Sequence, residues 1–301
     1  MAYLNANIGV AFGSRRVDND FFKEEATKIS DKIGIDQRYW VKTEDAVDLA
    51  ENACVDLFKK APAFKKSIDF LILVTSSPRY ALPTSACILQ SKLGLPTTCG
   101  AVDINLGCSG YPYALGIAKA LIFSGQCKNI LVITSDTYSK YMDKSDYKTA
   151  SIFGDAATAS LITESPKGFE LGAVKYFTDG SGFDRLIKRD GEDLFMAGKD
   201  IFNFTCTTVV KSLKEFLPEN NNFIVIPHQA NNFMLKTMAK LLGLGKDQFI
   251  INMNEVGNTV SSSIPLALSE MASFNTKEVI LAGFGVGLSW SFITLKTNGH
   301  V

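Results

Sequence analysis

The stretch Gly100-Ala101-Val102-Asp103-Ile104-Asn105-Leu106-Gly107-Cys108-Ser109-Gly110-Tyr111-Pro112 passes from a short apolar run into a segment of helical period that continues to Ser124. It reads as strand, tight turn, helix. Gly107 and Gly110 permit the turn, and Pro112 suits a first helical turn, where its missing N–H goes unused. The same alternation recurs on either side. Phe70 to Thr75, rich in β-branched and apolar residues, precedes the helical stretch Pro83 to Leu93, and Ile130 to Ser135 is a further strand. Continuous apolar strands alternating with amphipathic helices predict buried, largely parallel sheets covered by helices.

A second copy of the plan follows. Phe223 to Ile226 leads into a helix from Asn231 to Leu242, which ends at Leu242-Gly243-Leu244 much as the earlier helix ends at Leu93-Gly94-Leu95. The predicted strand Phe249 to Met253 leads to Gly257-Asn258 and a helix from about Ser261 to Ala272. Val279 to Gly283 then matches the strand at Ile130. Superposing the copies puts Gly107-Cys108 at nearly the same place as Gly257-Asn258, and His228 close to Ser76. The chain therefore divides into two βαβαβ-type halves, 1–165 and 166–301. Between the strands of the second half, Phe177 to Lys199 is rich in Gly and Asp, shows no period, and reads as a long functional loop or pair of loops.

Composition narrows the function classes. The 301 residues are 46% hydrophobic and 21% charged, enough apolar mass for a sizeable core. Thirty-one basic and thirty-one acidic side chains cancel, so no net field draws the chain to nucleic acid or anionic lipid. No apolar run reaches transmembrane length and the N-terminus lacks a signal pattern, which predicts a cytoplasmic protein without membrane insertion. Six scattered cysteines with no Cys-x-x-Cys pair predict free thiols in a reducing compartment. There is no phosphate loop and no metal cluster. Gly283 to Gly287 follows the last strand of its half and precedes a strand-like run, so it is not a dinucleotide fingerprint.

Three residues carry the chemistry. Ligand sites in open α/β layers lie at carboxyl ends of strands, which is where Cys108, His228 and Asn258 fall. A lone cysteine is ordinarily a buried small hydrophobe, but Cys108 lies at a predicted helix N-terminus. A dipole stabilisation of about 0.3–2 kcal/mol, at about 1.36 kcal/mol per pKa unit, predicts a substantially ionised thiol near neutrality. A lone histidine is ordinarily a satisfied polar group. The only other histidine is the penultimate residue, His300, so any imidazole chemistry belongs to His228. Asn258 by itself reads as a turn or cap residue, and its alignment with Cys108 makes it a candidate. Thiol, imidazole and carboxamide together suit carrying an acyl group and steadying an enolate. Backbone N–H groups around Gly285 and Val286 are candidate oxyanion donors.

Taken together, Leu82 to Gly94, Asp103 to Leu115, Phe153-Gly-Asp-Ala-Ala157, Met196-Ala-Gly198, Pro227-His-Gln-Ala-Asn231, Gly257-Asn-Thr259 and Gly283 to Trp290 resemble a β-ketoacyl-acyl-carrier-protein synthase III of the thiolase superfamily. The resemblance covers almost the whole chain from about Ile33. It implies a thiolase-like α/β fold, its duplicated halves forming a five-layer αβαβα sandwich with mixed sheets, and a homodimer. It also implies a decarboxylative condensation. Cys108 would accept an acyl group from acyl-CoA or acyl carrier protein, and malonyl-ACP would lose CO2 while His228 and Asn258 hold its carbonyl oxygen. No tightly bound cofactor is implied. Val286 would donate an oxyanion N–H, Gly285, Phe284 and Leu82 would line the pocket, and Phe284 matches the aromatic residue beside the thiol.

The chain departs from the family at the mouth of the site. Where synthase III enzymes that use an acyl-CoA primer hold its adenine with Trp and Arg, this sequence has Lys28, Lys32 and Tyr147. A basic carrier-docking position is Phe233, leaving Lys236 and Lys240 as the candidate docking cations. These departures point to a specialised pathway or to carrier-bound acyl donors. An alternative on the same scaffold is plain acyl transfer with His228 as general base. A papain-like hydrolase lacks the local context around its cysteine, and an inactive partner subunit is at odds with retention of all three polar groups.

Overall fold

A computed structural model describes residues 1–271 and 276–297. In chain order the first half contains β1 (Tyr3–Phe12), β2 (Arg15–Asp18), α1 (Ala26–Ile33), β3 (Gln37–Trp40), α2 (Ala46–Lys60), β4 (Phe70–Val74) and α3 (Ser85–Lys92). It continues with β5 (Gly100–Ile104), α4 (Gly110–Phe123), β6 (Asn129–Asp136), α5 (Tyr147–Ala150) and β7 (Ala156–Thr163). The second half contains β8 (Phe169–Thr178), β9 (Leu186–Ile187), β10 (Phe195–Met196), α6 (Gly198–Phe204), α7 (Val210–Phe216) and β11 (Phe223–Pro227). It ends with α8 (Asn232–Leu242), α9 (Ser263–Ser269), β12 (Glu278–Gly285) and β13 (Ser289–Lys296).

Nine strands form a mixed sheet in the order β11-β12-β13-β8-β1-β7-β6-β4-β5. In one half β4 and β6 are parallel while β6, β7 and β1 alternate; in the other, β11 and β12 are parallel while β12, β13 and β8 alternate. The halves meet where β1 pairs with β8 over Tyr3↔Glu170 and Leu4↔Phe169. Helix α4 packs on β4, β6 and β7 of one half and on β8, β12 and β13 of the other. With α9, it lies between the folded-over sheet halves, in an apolar layer containing Tyr111, Leu115, Ile264 and Leu268. Helices α2 and α3 cover one outer face, and α7 and α8 the other. The layering is the expected αβαβα sandwich. Close packing here demands small residues: a Cβ on Gly110 would stand 2.3 Å from Val74 Cγ1.

Three local expectations change. Phe249 to Met253 is not a full strand, since only a Val225↔Phe249 bridge forms. The Gln229 side chain intrudes beyond it, donating to Pro227 O at 2.7 Å and Ile250 O at 3.2 Å while accepting Asn252 N–H at 2.7 Å. These bonds occupy backbone groups that a longer ladder would use. The helix expected from Ser261 is a 3-10 turn, Val260–Ser262, followed by α9; Ala272 lies outside the described residues. The segment Phe177 to Lys199 holds a 3-10 turn, Gly180–Arg185, the β9–β10 pair and the start of α6, rather than bare loop.

Candidate active site

Cys108 sits in the turn between β5 and α4, closed by Gly110 N–H donating to Gly107 O at 2.9 Å. The end of β12 presses against it. A Cβ on Gly285, whose φ is +157°, would lie 3.1 Å from Cys108 Sγ, so glycine leaves room for the sulfur. The backbone N–H groups of Cys108 and Val286 face the sulfur and favour its thiolate. Burial opposes them and prevails, with a smaller push from the Asp136 carboxylate, and drives the thiol up to about 12. The expected ionised thiol is therefore corrected. A dipole of about 0.3–2 kcal/mol does not outweigh the loss of solvation of a sulfur in a 5% exposed residue.

His228 follows β11, with its N–H donating to Ala282 O at 2.8 Å and its ring edge-on to Phe284, centroids 5.5 Å apart. Ser263 Oγ stands 2.7 Å from Nδ1 and accepts the Gln229 N–H at 3.3 Å. The Val260 carbonyl also faces the imidazole. Burial pushes the imidazole down to about 3, so the ring is neutral at physiological pH. His300 lies outside the described residues.

Asn258 belongs to the second half yet is held by the first. Its N–H donates to Ile152 O at 2.8 Å, and its carbonyl accepts Gly154 N–H at 3.0 Å. Its side-chain Oδ1 accepts Val260 N–H at 2.9 Å, which leaves the amide NH2 as the end able to donate to a ligand. Gly257, at φ +72°, makes the approach, and a Cβ there would stand 2.8 Å from Ile152 O. Val260 follows at φ +53°, a conformation a β-branched residue adopts only when its surroundings impose it.

Cys108, His228 and Asn258 line one cavity of about 370 Å³, together with Phe284, Gly285, Phe153, Met196 and Ile201. Asp146, Lys148 and Thr149 line it as well. Val286 faces the sulfur through its N–H, while its Cγ1 lies 3.2 Å from the position a Gly107 Cβ would take. Leu82 does not line the cavity. It is 86% exposed, on the loop between β4 and α3, with its side chain in solvent rather than against the cavity wall. Lys236 and Lys240 are exposed on α8. Phe233 on the same helix is exposed and stacks on Phe202 with centroids 5.4 Å apart. Lys28 pairs with Glu25 at 3.1 Å, and neither Lys28 nor Lys32 borders the cavity.

Sequence reasoning missed Ser263 and a buried carboxylate, Asp136, beside the thiol. Asp136 ends the apolar run Asn129–Asp136, and an acid in that position must be buried among donors, which is the signal that was there to be read. Among the described residues no group of three His, Cys, Asp or Glu side chains can hold a metal. No described helix is long and apolar enough to cross a membrane.

A thiol, an imidazole and a carboxamide on one cavity, with two backbone N–H groups facing the sulfur, are the groups a condensing enzyme needs. Family models described as 3-oxoacyl-[acyl-carrier-protein (ACP)] synthase III and its C-terminal part match residues 102–180 and 220–297. A beta-ketoacyl-[acyl-carrier-protein] synthase III of Clostridium perfringens is 34% identical over 92% of this chain and 92% of its own. One of Acholeplasma laidlawii is 34% identical over 95% and 97%. Among solved structures, a 3-oxoacyl-(acyl-carrier-protein) synthase III superposes with TM-score 0.92 at 34% identity, covering 98% of this chain and 99% of that one. A 3-oxoacyl-(acyl-carrier protein) synthase from Burkholderia xenovorans gives 0.91 at 34% identity over 98% of this chain and 94% of that one. The chain belongs to the 3-oxoacyl-acyl-carrier-protein synthase III family.

Proposed function

We propose that this protein is a β-ketoacyl-acyl-carrier-protein synthase that makes a 3-oxoacyl thioester by decarboxylative Claisen condensation, in fatty acid biosynthesis or a related specialised pathway. The observation that carries the reading is the convergence of Cys108, His228 and Asn258 on one cavity, with the Val286 N–H turned to the sulfur. In the first half-reaction Cys108 attacks an acyl thioester. The thiol proton passes to the departing thiol, and the N–H groups of Cys108 and Val286 hold the oxyanion of the tetrahedral intermediate. Malonyl-ACP then enters. Its carbon–carboxylate bond breaks, CO2 leaves, and the bonding pair becomes an enolate whose oxygen accepts hydrogen bonds from His228 and the Asn258 amide. With the Ser263 hydroxyl donating to Nδ1, the imidazole carries its hydrogen on Nε2, as this role requires. The enolate carbon attacks the acyl carbonyl, and collapse expels the Cys108 thiolate. A neutral imidazole pushed down to about 3 suits a donor and is a weak base, which disfavours plain acyl transfer by general-base catalysis.

The substrates are thioesters of CoA or carrier protein, and the reaction needs no tightly bound cofactor. Exposed Lys236 and Lys240 beside Phe233 are the proposed carrier contacts. The two halves act as the functional units, 1–165 supplying the nucleophile and 166–301 the two donors. A homodimer is proposed from the edge of β5, which pairs only with β4 among the described residues, with Val102 exposed on it and Leu82 and Tyr80 on the loop before α3. Leu82 then belongs to the subunit interface. The protein works in the cytoplasm, where its free thiols stay reduced.

Intact-mass detection of an acyl adduct across a panel of acyl-CoAs and acyl carrier proteins tests the reading. Cys108→Ala abolishes the adduct. His228→Ala and Asn258→Ala retain acylation yet fail to condense. Equal loss of both steps in those two variants refutes the division of roles.

A further inference from the structure

The carboxylate of Asp136, at the end of β6, is divided between the two halves of the molecule. Its Oδ1 accepts Ser76 N–H at 2.8 Å, Ser76 Oγ–H at 3.0 Å and Ser77 Oγ–H at 3.4 Å, all from the segment after β4. Its Oδ2 accepts the Ser261 hydroxyl at 2.5 Å and the Ser261 N–H at 3.3 Å, from the turn that follows Asn258. Ser76 Oγ lies 2.9 Å from the Tyr138 hydroxyl, which borders the Gly107-Cys108 turn. One residue beyond Ser261, Ser262 Oγ stands 2.8 Å from Thr134 Oγ1 on the same strand. Val260, in its left-handed conformation, is thus fixed between Asn258 Oδ1 and the Asp136-bound Ser261.

We propose that Asp136 is a positioning residue for the condensation step, keying the Asn258 turn to the half that carries Cys108 through Ser261 and Val260. This rests on the functional reading above. Asp136 touches no reacting atom. Its chemistry is that of an acceptor with two equivalent oxygens, one for each half. An asparagine supplies one oxygen and one NH2, so whichever way it turns, a donor faces donors. If the key is lost, the Val260 turn relaxes, the amide NH2 of Asn258 loses its aim, and a donor displaced by about 1 Å costs roughly 100-fold in rate. Loading of Cys108 uses the Cys108 and Val286 N–H groups, which lie outside the Asp136 and Ser261 hydrogen bonds, and the Asp136 charge acts on the thiol only by pushing it up, so that step persists or quickens when the charge is removed.

The test measures the half-reactions separately on full-length protein. Asp136→Asn is expected to load acyl groups onto Cys108 at least as fast as wild type, because the carboxylate's upward push on the thiol is gone, while kcat for condensation falls about 10–100-fold and KM for malonyl-ACP moves less than about threefold. Ser261→Ala shifts condensation the same way by about 3–10-fold, and Ser261→Thr, which keeps the hydroxyl, restores it. Condensation by Asp136→Asn within about threefold of wild type overturns the assignment. So does equal loss of both steps in Asp136→Asn with Ser261→Ala indistinguishable from wild type. If Asp136→Asn does not fold, the Ser261 pair decides, and an Ser261→Ala enzyme that condenses normally overturns it. A wild-type protein that loads Cys108 but never condenses overturns the functional reading itself, an outcome seen without any variant.

Discussion

Ser263 Oγ stands 2.7 Å from His228 Nδ1 and joins α9, a helix of the central layer, to the end of β11. A hydroxyl that accepts Gln229 N–H keeps its own hydrogen to give, and given to Nδ1 it puts the ring hydrogen on Nε2, the tautomer the proposed condensation uses. Ser263→Ala removes that selection while leaving the ring in place. Condensation should fall about 10-fold or more, with Cys108 loading changed less than about threefold. Single-turnover assays of the two half-reactions check it. Unchanged condensation removes Ser263 from the mechanism.

Gly285 leaves the room that the sulfur occupies. A methyl group there would stand 3.1 Å from Cys108 Sγ and 2.9 Å from its Cβ. Gly285→Ala should reduce acyl-adduct formation by at least about 10-fold, because the Cys108 thiol and the Val286 N–H are both displaced. Intact mass after brief exposure to an acyl donor reads this out. Wild-type loading in the variant means β12 yields more readily than its packing suggests.

The thiol should titrate far above neutrality. With Cys108 pushed up to about 12 by burial and, less strongly, by Asp136, thiolate grows with pH throughout the usable range. Alkylation at Cys108 should rise about tenfold per pH unit between about pH 7 and 10. Peptide mapping after timed iodoacetamide exposure follows that site alone. A plateau below about pH 9 contradicts the burial argument.

Acid should act on stability through His228. Its folded-state value, down to about 3, lies below the ordinary imidazole value near 6.5. The unfolded chain therefore binds the proton first, and His228 draws stability away as pH falls from 6.5 toward 3. Asp136 and Asp155, both pushed up to about 6 by burial, act with the opposite sign as pH falls through that value. The difference between wild type and His228→Phe isolates the imidazole. The variant should lose less stability on acidification, measured by urea unfolding at pH 7 and pH 5. Parallel losses contradict a buried neutral imidazole.

Gly154 should be intolerant of a side chain. A Cβ there would lie 2.1 Å from the Val256 carbonyl oxygen, a backbone atom that cannot swing aside. Gly154→Ala should destabilise the fold by about 1–3 kcal/mol and weaken condensation more than loading, since the displaced segment holds Asn258 through Gly154 N–H. Chemical denaturation and the half-reaction assays check both parts. A wild-type denaturation curve refutes the contact argument.

Much of the site was legible because the chain repeats itself. The apolar runs ending at Ile104, Ile226 and Met253, the first two of them strands, put a cysteine, a histidine and an asparagine just beyond their ends, and the repeated pattern supplied the reason for them to meet. Leu82 misled, since an apolar residue at a matching motif position carries no sign of which way its loop turns. The ionisation of Cys108 also misled. A helix N-terminus is readable from Ser109-Gly110-Tyr111-Pro112, whereas the burial that overrides it depends on β12 closing over the sulfur from 175 or more residues away.

Local pattern determined β4, β5, β6, β11 and β12, the helices that follow β4, β5 and β11, and the identity of the reactive groups, because periodicity and turn chemistry act over a few neighbouring residues. Tertiary structure decided that Ile152 and Gly154 hold the Asn258 backbone, which ring nitrogen of His228 meets Ser263, and how Asp136 divides its acceptors between halves. Hydrogen-bond partners and solvation are set by groups brought together from distant positions, and no local pattern records them.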